Sequence, residues 1–308
     1  MSGVLLLDKA KGDSSNQALQ TVRRLFQAKK TGHTGTLDPL ASGLLPLMFG
    51  EATKFAADLI DADKEYEATI RLGVQSSTGD AEGQLHTCDL PVQSLVQSRL
   101  EEAAEQFTGE IEQLPPMYSA LKKDGKPLYE YARQGLEVER KPRLVVIKAF
   151  DLLEVNHQPE EPSVRIRVLC SKGTYIRTLA EDFALALGTG GYLTDLRRVA
   201  VGRLSLADAL SVKDIQARLE SGCKPESLLA PVDSLLNSLQ SVQLDAKQTE
   251  RFLHGQRLPL DLAGMHAARS RIYGFNNQKE PAFLGTGILE TDGKTALLRP
   301  ERLIQETL

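Results

Sequence analysis

The apolar positions in the first quarter of the chain change period more than once. Gly3 to Asp8, GVLLLD, is a short apolar run that reads as a buried strand closed by a polar turn at Lys9 to Asp13. Ser14 or Ser15 then stands where a helix needs its N-cap. Ala18, Leu19, Val22, Leu25 and Phe26 follow at the spacing of one helical face. A second apolar run, Leu44, Leu45, Leu47, Met48 and Phe49, reads as core, and Glu51 to Ile60 as a short helix. Tyr66, Ala68, Ile70 and Leu72 alternate with polar residues, the period of a half-buried strand. Thr78 to Gly83, TGDAEG, is turn chemistry.

Further along, Val92 to Gln106 predicts a helix with acids on its outer face. Pro115 to Gly135 loses periodicity and turns helical at Leu128 to Arg133. Val145 to Val155 and Val164 to Cys170 predict strands, the second alternating at Val164, Ile166, Val168 and Cys170. Thr174 to Leu187 reads as a helix ended by Gly188, Gly190 and Gly191, with a strand returning at Val199 to Leu206. The pattern weakens around Pro231 to Gln240, which divides the chain into residues 1–237 and 238–308. The second part carries short strands at Arg271 to Phe275, Ala282 to Gly285, Gly287 to Glu290 and Ala296 to Arg299. Glycines and an Asp292-Gly293 turn part them, the pattern of a small β-barrel. The whole is a mixed α/β (α+β) chain of two domains.

At 308 residues, with 41% hydrophobic and 25% charged residues, the chain has the makings of an ordinary soluble protein with a sizeable core. No apolar run approaches the roughly 20 residues of a membrane span. The N-terminus breaks into Asp8 and Lys9 too early for a signal peptide. Three scattered cysteines suit a reducing compartment, so a cytoplasmic location is expected. The five histidines lie singly, which argues against a zinc site. Net charge is −4 and does not announce a nucleic-acid binder. Its distribution says more: from Lys122 to Lys148 eight bases face four acids. The first 30 residues hold a second basic cluster, so an anionic partner fits this end of the chain.

Between the two clusters lies Gly32 to Gly50, GHTGTLDPLASGLLPLMFG. Gly32 and Gly35 permit backbone conformations closed to other residues. Pro39 pushes Asp38 towards an extended conformation and removes the next amide donor. A carboxylate is thus set on a tight loop just ahead of a core segment, where catalytic groups tend to be found. An Asp-Pro turn alone also reads as ordinary loop chemistry.

This stretch resembles the signature loop of the TruB family, the bacterial tRNA pseudouridine-55 synthases. KEYEATIRLG (Lys64 to Gly73), SKGTYIRTLAEDF (Ser171 to Phe183) and DLRRVAVG (Asp195 to Gly202) match the family in the same order. The resemblance implies a pseudouridine synthase fold, with a central largely antiparallel sheet flanked by helices and a C-terminal PUA-like β-barrel. It implies isomerisation of the uridine at position 55, in the T arm of tRNA, by base flipping, with no cofactor and no metal. Asp38 matches the family's nucleophile and Arg177 the arginine that pairs with it. Tyr66 matches the tyrosine that stacks on the flipped base, Tyr175 and Leu196 the lining of its pocket. His33 matches a histidine that contacts RNA where the base has left. Lys9 and Asp80 match supporting positions, although the family has proline where Ala10 follows Lys9. A basic insertion at 115–143 matches an RNA-gripping thumb, with Lys122, Lys123 and Lys126 as its RNA contacts. The expected partner is tRNA, with no membrane and no obligatory protein partner, and the expected state is a monomer.

Two other readings remain on the same residues. One is a non-catalytic RNA-binding protein on this scaffold, against which Asp38, Tyr66 and Arg177 all stand intact. The other is a glycoside hydrolase, which needs two carboxylates flanking a scissile bond; the sequence offers no second acid in a matching motif.

Overall fold

The alternation along Lys64–Leu72 becomes the middle strand of a nine-stranded sheet. In the computed structural model of the chain the described residues are 1–88, 96–260, 266–276, 280–291 and 296–304. The sheet's main strands are β1 (Gly3–Lys9), β2 (Thr31–His33), β3 (Ser42–Phe49), β4 (Lys64–Leu72), β5 (Gly109–Gln113), β6 (Arg143–Asn156), β7 (Ser163–Cys170) and β8 (Gly191–Val201). Their order is β1-β3-β8-β4-β7-β6-β5, with β2 added on β3 and Leu204–Ser205 on β8. Only the β3–β8 pair is parallel, so the sheet is largely antiparallel, as expected.

Inward positions of β4 and β7, among them Ala68, Ile70, Val164, Ile166 and Val168, join one core with helices α1 (Ser15–Leu25), α2 (Gln97–Gln106), α3 (Ile176–Ala186) and α4 (Val212–Glu220). The outward positions between them carry charge. Arg165 and Arg167 reach Glu67 at 2.7 and 2.6 Å. Exposed pairs of this kind contribute about 0–1 kcal/mol, against about 1.5–3 kcal/mol for each fully buried Leu, Ile or Val. The helix-covered face therefore decides the fold.

Ser14, not Ser15, caps α1: its hydroxyl accepts from the Gln17 amide at 3.2 Å while Gln17 Oε1 accepts from the Ser14 amide at 2.8 Å. Glu51 to Ile60 is a 3-10 turn (Gly50–Phe55) running into a short α-helix (Ala56–Ile60). The expected helix at Val92 to Gln106 is seen at Gln97–Gln106, its start lying outside the described residues. β8 begins at Gly191, well before the expected Val199. Gly191 is no helix stop but a close approach, since a Cβ there would stand 2.5 Å from the Ala184 methyl. The segment read as aperiodic contains a hairpin, Lys122–Lys123 with Lys126–Pro127, before the expected helix at Leu128–Ala132. It turns at Asp124 and Gly125, with φ of 51° and 81°, the left-handed pair that a tight two-residue hairpin requires.

The C-terminal strands β9 (Gln240–Gln243), β10 (Leu258–Leu260), β11 (Arg269–Phe275), β12 (Pro281–Thr291) and β13 (Ala296–Leu303) form a half-barrel ordered β9-β11-β12-β13-β10. The two strands expected at 282–285 and 287–290 are one strand with a register shift. Its glycines allow close packing, not turning: a Cβ on Gly285 would overlap the Arg302 carbonyl. The Asp292-Gly293 turn lies outside the described residues. This sheet docks on residues 50–60, with the Phe283 ring 5.9 Å from Phe55 and Arg269 paired to Asp58.

Candidate active site

Strand register places Lys9 opposite Gly43, Gly43 opposite Arg198, Arg198 opposite Tyr66 and Tyr66 opposite Val168. Residues facing each other across neighbouring strands share one face. This row therefore runs along the helix-covered side, where an otherwise apolar layer turns polar. The loop joining β2 to β3 lies against it: Gly35, at φ 69°, leaves only 3.0 Å between a built Cβ and Arg198 Nη1.

That loop carries Asp38 on a closed β-turn. The Ala41 amide donates to the Asp38 carbonyl at 3.1 Å, with Pro39 at the turn's second position. The Gly12 amide donates to the Pro39 carbonyl at 2.7 Å. Ser15, freed from capping, accepts from the Leu37 amide at 2.8 Å and donates to the Leu37 carbonyl at 3.0 Å. Leu37, Leu40 and Ala41 go into the core. The Asp38 carboxylate is left at the junction of two cavities, 44% of its side chain still reached by water. The first cavity, about 180 Å³, is lined by Asp38, Tyr66, Tyr175, Arg177 and Leu196 among others. The second, about 270 Å³, is shared by Asp38, Asp80, Glu82, Tyr118, Tyr129 and Arg133.

Arg177, in the first turn of α3, is buried and binds four groups at once. Its Nη2 lies 2.9 Å from Asp38 Oδ2 and donates to the Tyr118 carbonyl at 2.7 Å. Its Nη1 donates to the Thr78 carbonyl at 3.0 Å, and its Nε lies 3.6 Å from Asp80 Oδ2. Asp80, 3% exposed, accepts from the Thr78 hydroxyl at 2.6 Å and the Glu82 amide at 3.1 Å. The TGDAEG turn is thus a cradle for the arginine. The fold does bring further acids to the second cavity: Asp80 is occupied by these partners and Glu82 is exposed, but neither lines the first cavity, and Asp38 is the carboxylate common to both linings.

Burial pushes the Asp38 carboxyl above the usual aspartate range; Arg177 pulls it down, Asp80 pushes it up and Lys9 pulls it down. Lys9 is fully buried. Its ammonium donates to the Ala10 and Asp13 carbonyls at 2.9 and 2.5 Å, tying the turn that contains Ala10. Its own pKa is lowered, first by burial.

Tyr175 is the N-cap residue of α3, clamped by the buried amide of Gln113. The Tyr175 amide donates to Gln113 Oε1 at 3.0 Å, and Gln113 Nε2 donates back to the Tyr175 carbonyl at 3.3 Å. Leu196, 8% exposed, stands across the strand pair from Ala68. Tyr66, Tyr175, Leu196, Arg177 and Asp38 are therefore brought together. His33 is not among the residues lining either cavity. It lies on β2 with Nδ1 buried and unpartnered, and burial followed by the Arg198 charge lowers its pKa. Lys122, Lys123 and Lys126 stand on the hairpin of residues 122–127, outside both cavity linings. The short helix Leu128–Ala132 and its C-cap Arg133 reach the site instead: Tyr129 and Arg133 line the second cavity, the guanidinium 5.3 Å from the ring centroid. Arg198, Gln113 and Arg133 escape the sequence as site residues, and Ser15 reads there only as a possible cap. For Arg198 a signal existed: it has the inward parity of Leu196, an unusual place for a charge. Among the described residues no cluster of three His, Cys, Asp or Glu could hold a metal ion.

A largely antiparallel sheet with an appended half-barrel and an arginine-paired carboxylate beside a ring-lined cavity defines a pseudouridine synthase architecture. The chain superposes on Cbf5 in a Cbf5-Nop10-Gar1 complex with a TM-score of 0.71 at 24% identity, covering 98% of this chain and 84% of that one. For an archaeal box H/ACA sRNP Nop10-Cbf5 complex the TM-score is 0.68 at 22% identity, with 98% and 85% covered. These likenesses show the fold. Sequence carries the matter further. The profile of the TruB family pseudouridylate synthase N-terminal domain matches residues 23–176, that of the tRNA pseudouridylate synthase B C-terminal domain 177–237, and that of the pseudouridine synthase II TruB C-terminus 241–304. A protein of Ralstonia pickettii named tRNA pseudouridine synthase B is 54% identical, with 98% of this chain and 94% of that protein covered. One of Burkholderia mallei with the same name is 52% identical, with 99% and 97% covered. The chain belongs to the TruB family of pseudouridylate synthases and is an isomerase.

Proposed function

We propose that this enzyme converts the uridine at position 55, in the T arm of tRNA, into pseudouridine. The target base is turned out of its stack into the cavity beside Asp38. The observation that carries this reading is the five-residue constellation of Asp38, Arg177, Tyr66, Tyr175 and Leu196 on one cavity. The names of relatives above 50% identity supply the class of RNA.

The reaction breaks the N1–C1′ bond, turns the ring and joins C5 to C1′. One proton leaves C5 and one is taken up at N1, so atoms and electrons balance without a redox partner. Asp38 supplies the nucleophilic carboxylate and must be ionised for it. The buried arginine opposes the desolvation that would otherwise keep it protonated. Tyr66 offers its ring to the flipped uracil, while Tyr175 and Leu196 complete the walls. Asp80 fixes Arg177, and Lys9 steadies the turn beneath Asp38. His33 contacts RNA where the base has left. Lys122, Lys123 and Lys126 meet phosphates from the thumb. Residues 1–237 form the catalytic domain and 238–308 a PUA-like RNA-binding domain. The enzyme works in the cytoplasm as a monomer, without metal or cofactor.

The test is release of the C5 proton from tRNA labelled with tritium at uridine C5. Stoichiometric release from one position, abolished when residue 55 is cytidine, bears the proposal out. Release that survives this replacement, or no release at all, rejects it.

A further inference from the structure

Three cations are buried at the polar end of the β1-β3-β8-β4 row: Lys9, Lys64 and Arg198. Two of them serve the backbone around them. Lys9 holds two carbonyls of its turn. Lys64 donates to the Leu59, Ile60 and Ala62 carbonyls at 3.2, 2.6 and 2.5 Å, closing the end of the helix Ala56–Ile60. Arg198 differs. It is 1% exposed, and its Nε donates to the Leu44 carbonyl at 2.8 Å. Its Nη2 is buried without a hydrogen-bond partner. Among the described residues no ion pair to a carboxylate neutralises it, whereas Arg197 beside it reaches Asp8 at 2.7 Å.

A guanidinium stripped of water and left partly unpaired destabilises a fold, and apolar replacement of buried charges often strengthens one. Packing alone therefore gives no reason for arginine here. Its surroundings give one. Gly35 of the Asp38 loop rests on its Nη1 side. Tyr66 stands opposite it in register; burial raises the phenol pKa and the nearby guanidinium lowers it. Arg198 and Tyr66 also line one further cavity together with Tyr175.

We propose that Arg198 is a positioning residue for the uridine reaction, fixing Tyr66 through its hydroxyl and keeping an uncompensated positive charge behind the ring on which uracil stacks. This rests on the reaction proposed above. Between breaking N1–C1′ and making C5–C1′ the bonding electron pair belongs to the uracil ring, which is then anionic. A preorganised cation close by in a water-poor site favours that state over the neutral one. The charge left unpaired in the free enzyme is matched only while the ring is negative.

The experiment compares wild type with Arg198→Met, Arg198→Lys, Tyr66→Phe and the double variant Arg198→Met/Tyr66→Phe. Thermal melting, tRNA affinity and the single-turnover rate of C5-proton release are measured for each. Arg198→Met should melt no lower than wild type, bind tRNA within about threefold and react at least ~100-fold more slowly, as loss of one preorganised donor does. Arg198→Lys, which keeps charge but not the fork, should fall between. The double variant should be no slower than the slower single, because both changes break one contact. An Arg198→Met enzyme that fails to fold or melts well below wild type makes the arginine structural and overturns the proposal. So does a rate within threefold of wild type, or a double variant whose losses multiply. A wild-type enzyme inert on tRNA would instead refute the reaction itself, a separate result.

Discussion

The hydroxyl of Ser15 holds both backbone groups of Leu37, accepting from its amide at 2.8 Å and donating to its carbonyl at 3.0 Å. Leu37 immediately precedes Asp38, so the start of α1 sets the height of the carboxylate above the sheet. Ser15→Ala would leave a buried amide and carbonyl unpaired, a loss of about 1–3 kcal/mol. Urea unfolding should show that loss, and C5-proton release should slow with little change in tRNA affinity. An unaltered rate would detach Ser15 from the site.

Asp38→Asn keeps the size of the side chain and removes its charge. Turnover should vanish while tRNA binding stays within a few-fold, because affinity comes chiefly from phosphate and shape contacts. The wild-type rate should fall on the acid side as pH drops through the raised Asp38 pKa, above the 3.8 of an ordinary aspartate. Arg177 pulls that pKa down, so in Arg177→Met the acid limb should move to higher pH. A limb that stays put would mean another group titrates.

Tyr66→Leu removes the ring face, and base–aromatic stacking is worth about 1–3 kcal/mol, so single-turnover rates should drop at least ~10-fold. Tyr66→Phe keeps the face and loses only the hydroxyl. Its rate relative to the leucine variant separates stacking from the proposed link between the hydroxyl and Arg198. Equal rates in the two variants would mean the hydroxyl, not the ring face, carries the effect.

Glu181, behind Gly79 of the arginine cradle, is pushed up to about 7, first by burial and then by Asp182. An acid with a raised folded pKa holds more protons folded than unfolded between its ordinary 4.5 and 7. Stability should therefore fall as pH rises through that window, by about 1–3 kcal/mol in total. Glu181→Gln should flatten the curve and melt higher than wild type at pH 8. Parallel curves for the two proteins would show that Glu181 titrates normally.

For the thumb, replacing Lys122, Lys123 and Lys126 together with alanine should weaken tRNA binding. It should also reduce the log–log salt slope by roughly 0.7–0.9 for each phosphate that the variant no longer neutralises. Hydrogen exchange across residues 117–143 should slow when tRNA is added, as a segment ordered by binding requires. An unchanged salt slope together with equal exchange in both states would leave the segment as scaffold.

Much of this architecture could be read from the chain because its strands alternate: Val164, Ile166 and Val168 point inward and Arg165 and Arg167 outward without exception. β8 could not be read that way, since Gly191, Tyr192 and Leu193 are buried in succession and show no period of two. Glycine also misled, marking close approach at Gly191 and Gly285 where turns were expected. The members of the Asp38 cavity were legible only through resemblance, because Asp38, Tyr66 and Arg177 are far apart in sequence and share no local pattern. Arg198 and Gln113 act by register and by backbone contact, which a linear string does not display.

One nitrogen of Arg177 serves the Tyr118 carbonyl and the Asp38 carboxylate together. Tyr118 lies just before the hairpin of residues 122–127, so the start of that segment and the acid draw on a single donor. A thumb that carried Tyr118 with it as it swung would strip a carbonyl from that donor and change how firmly it grips the carboxylate. If the segment grips tRNA as proposed, substrate capture and the readiness of Asp38 become two readings of one equilibrium.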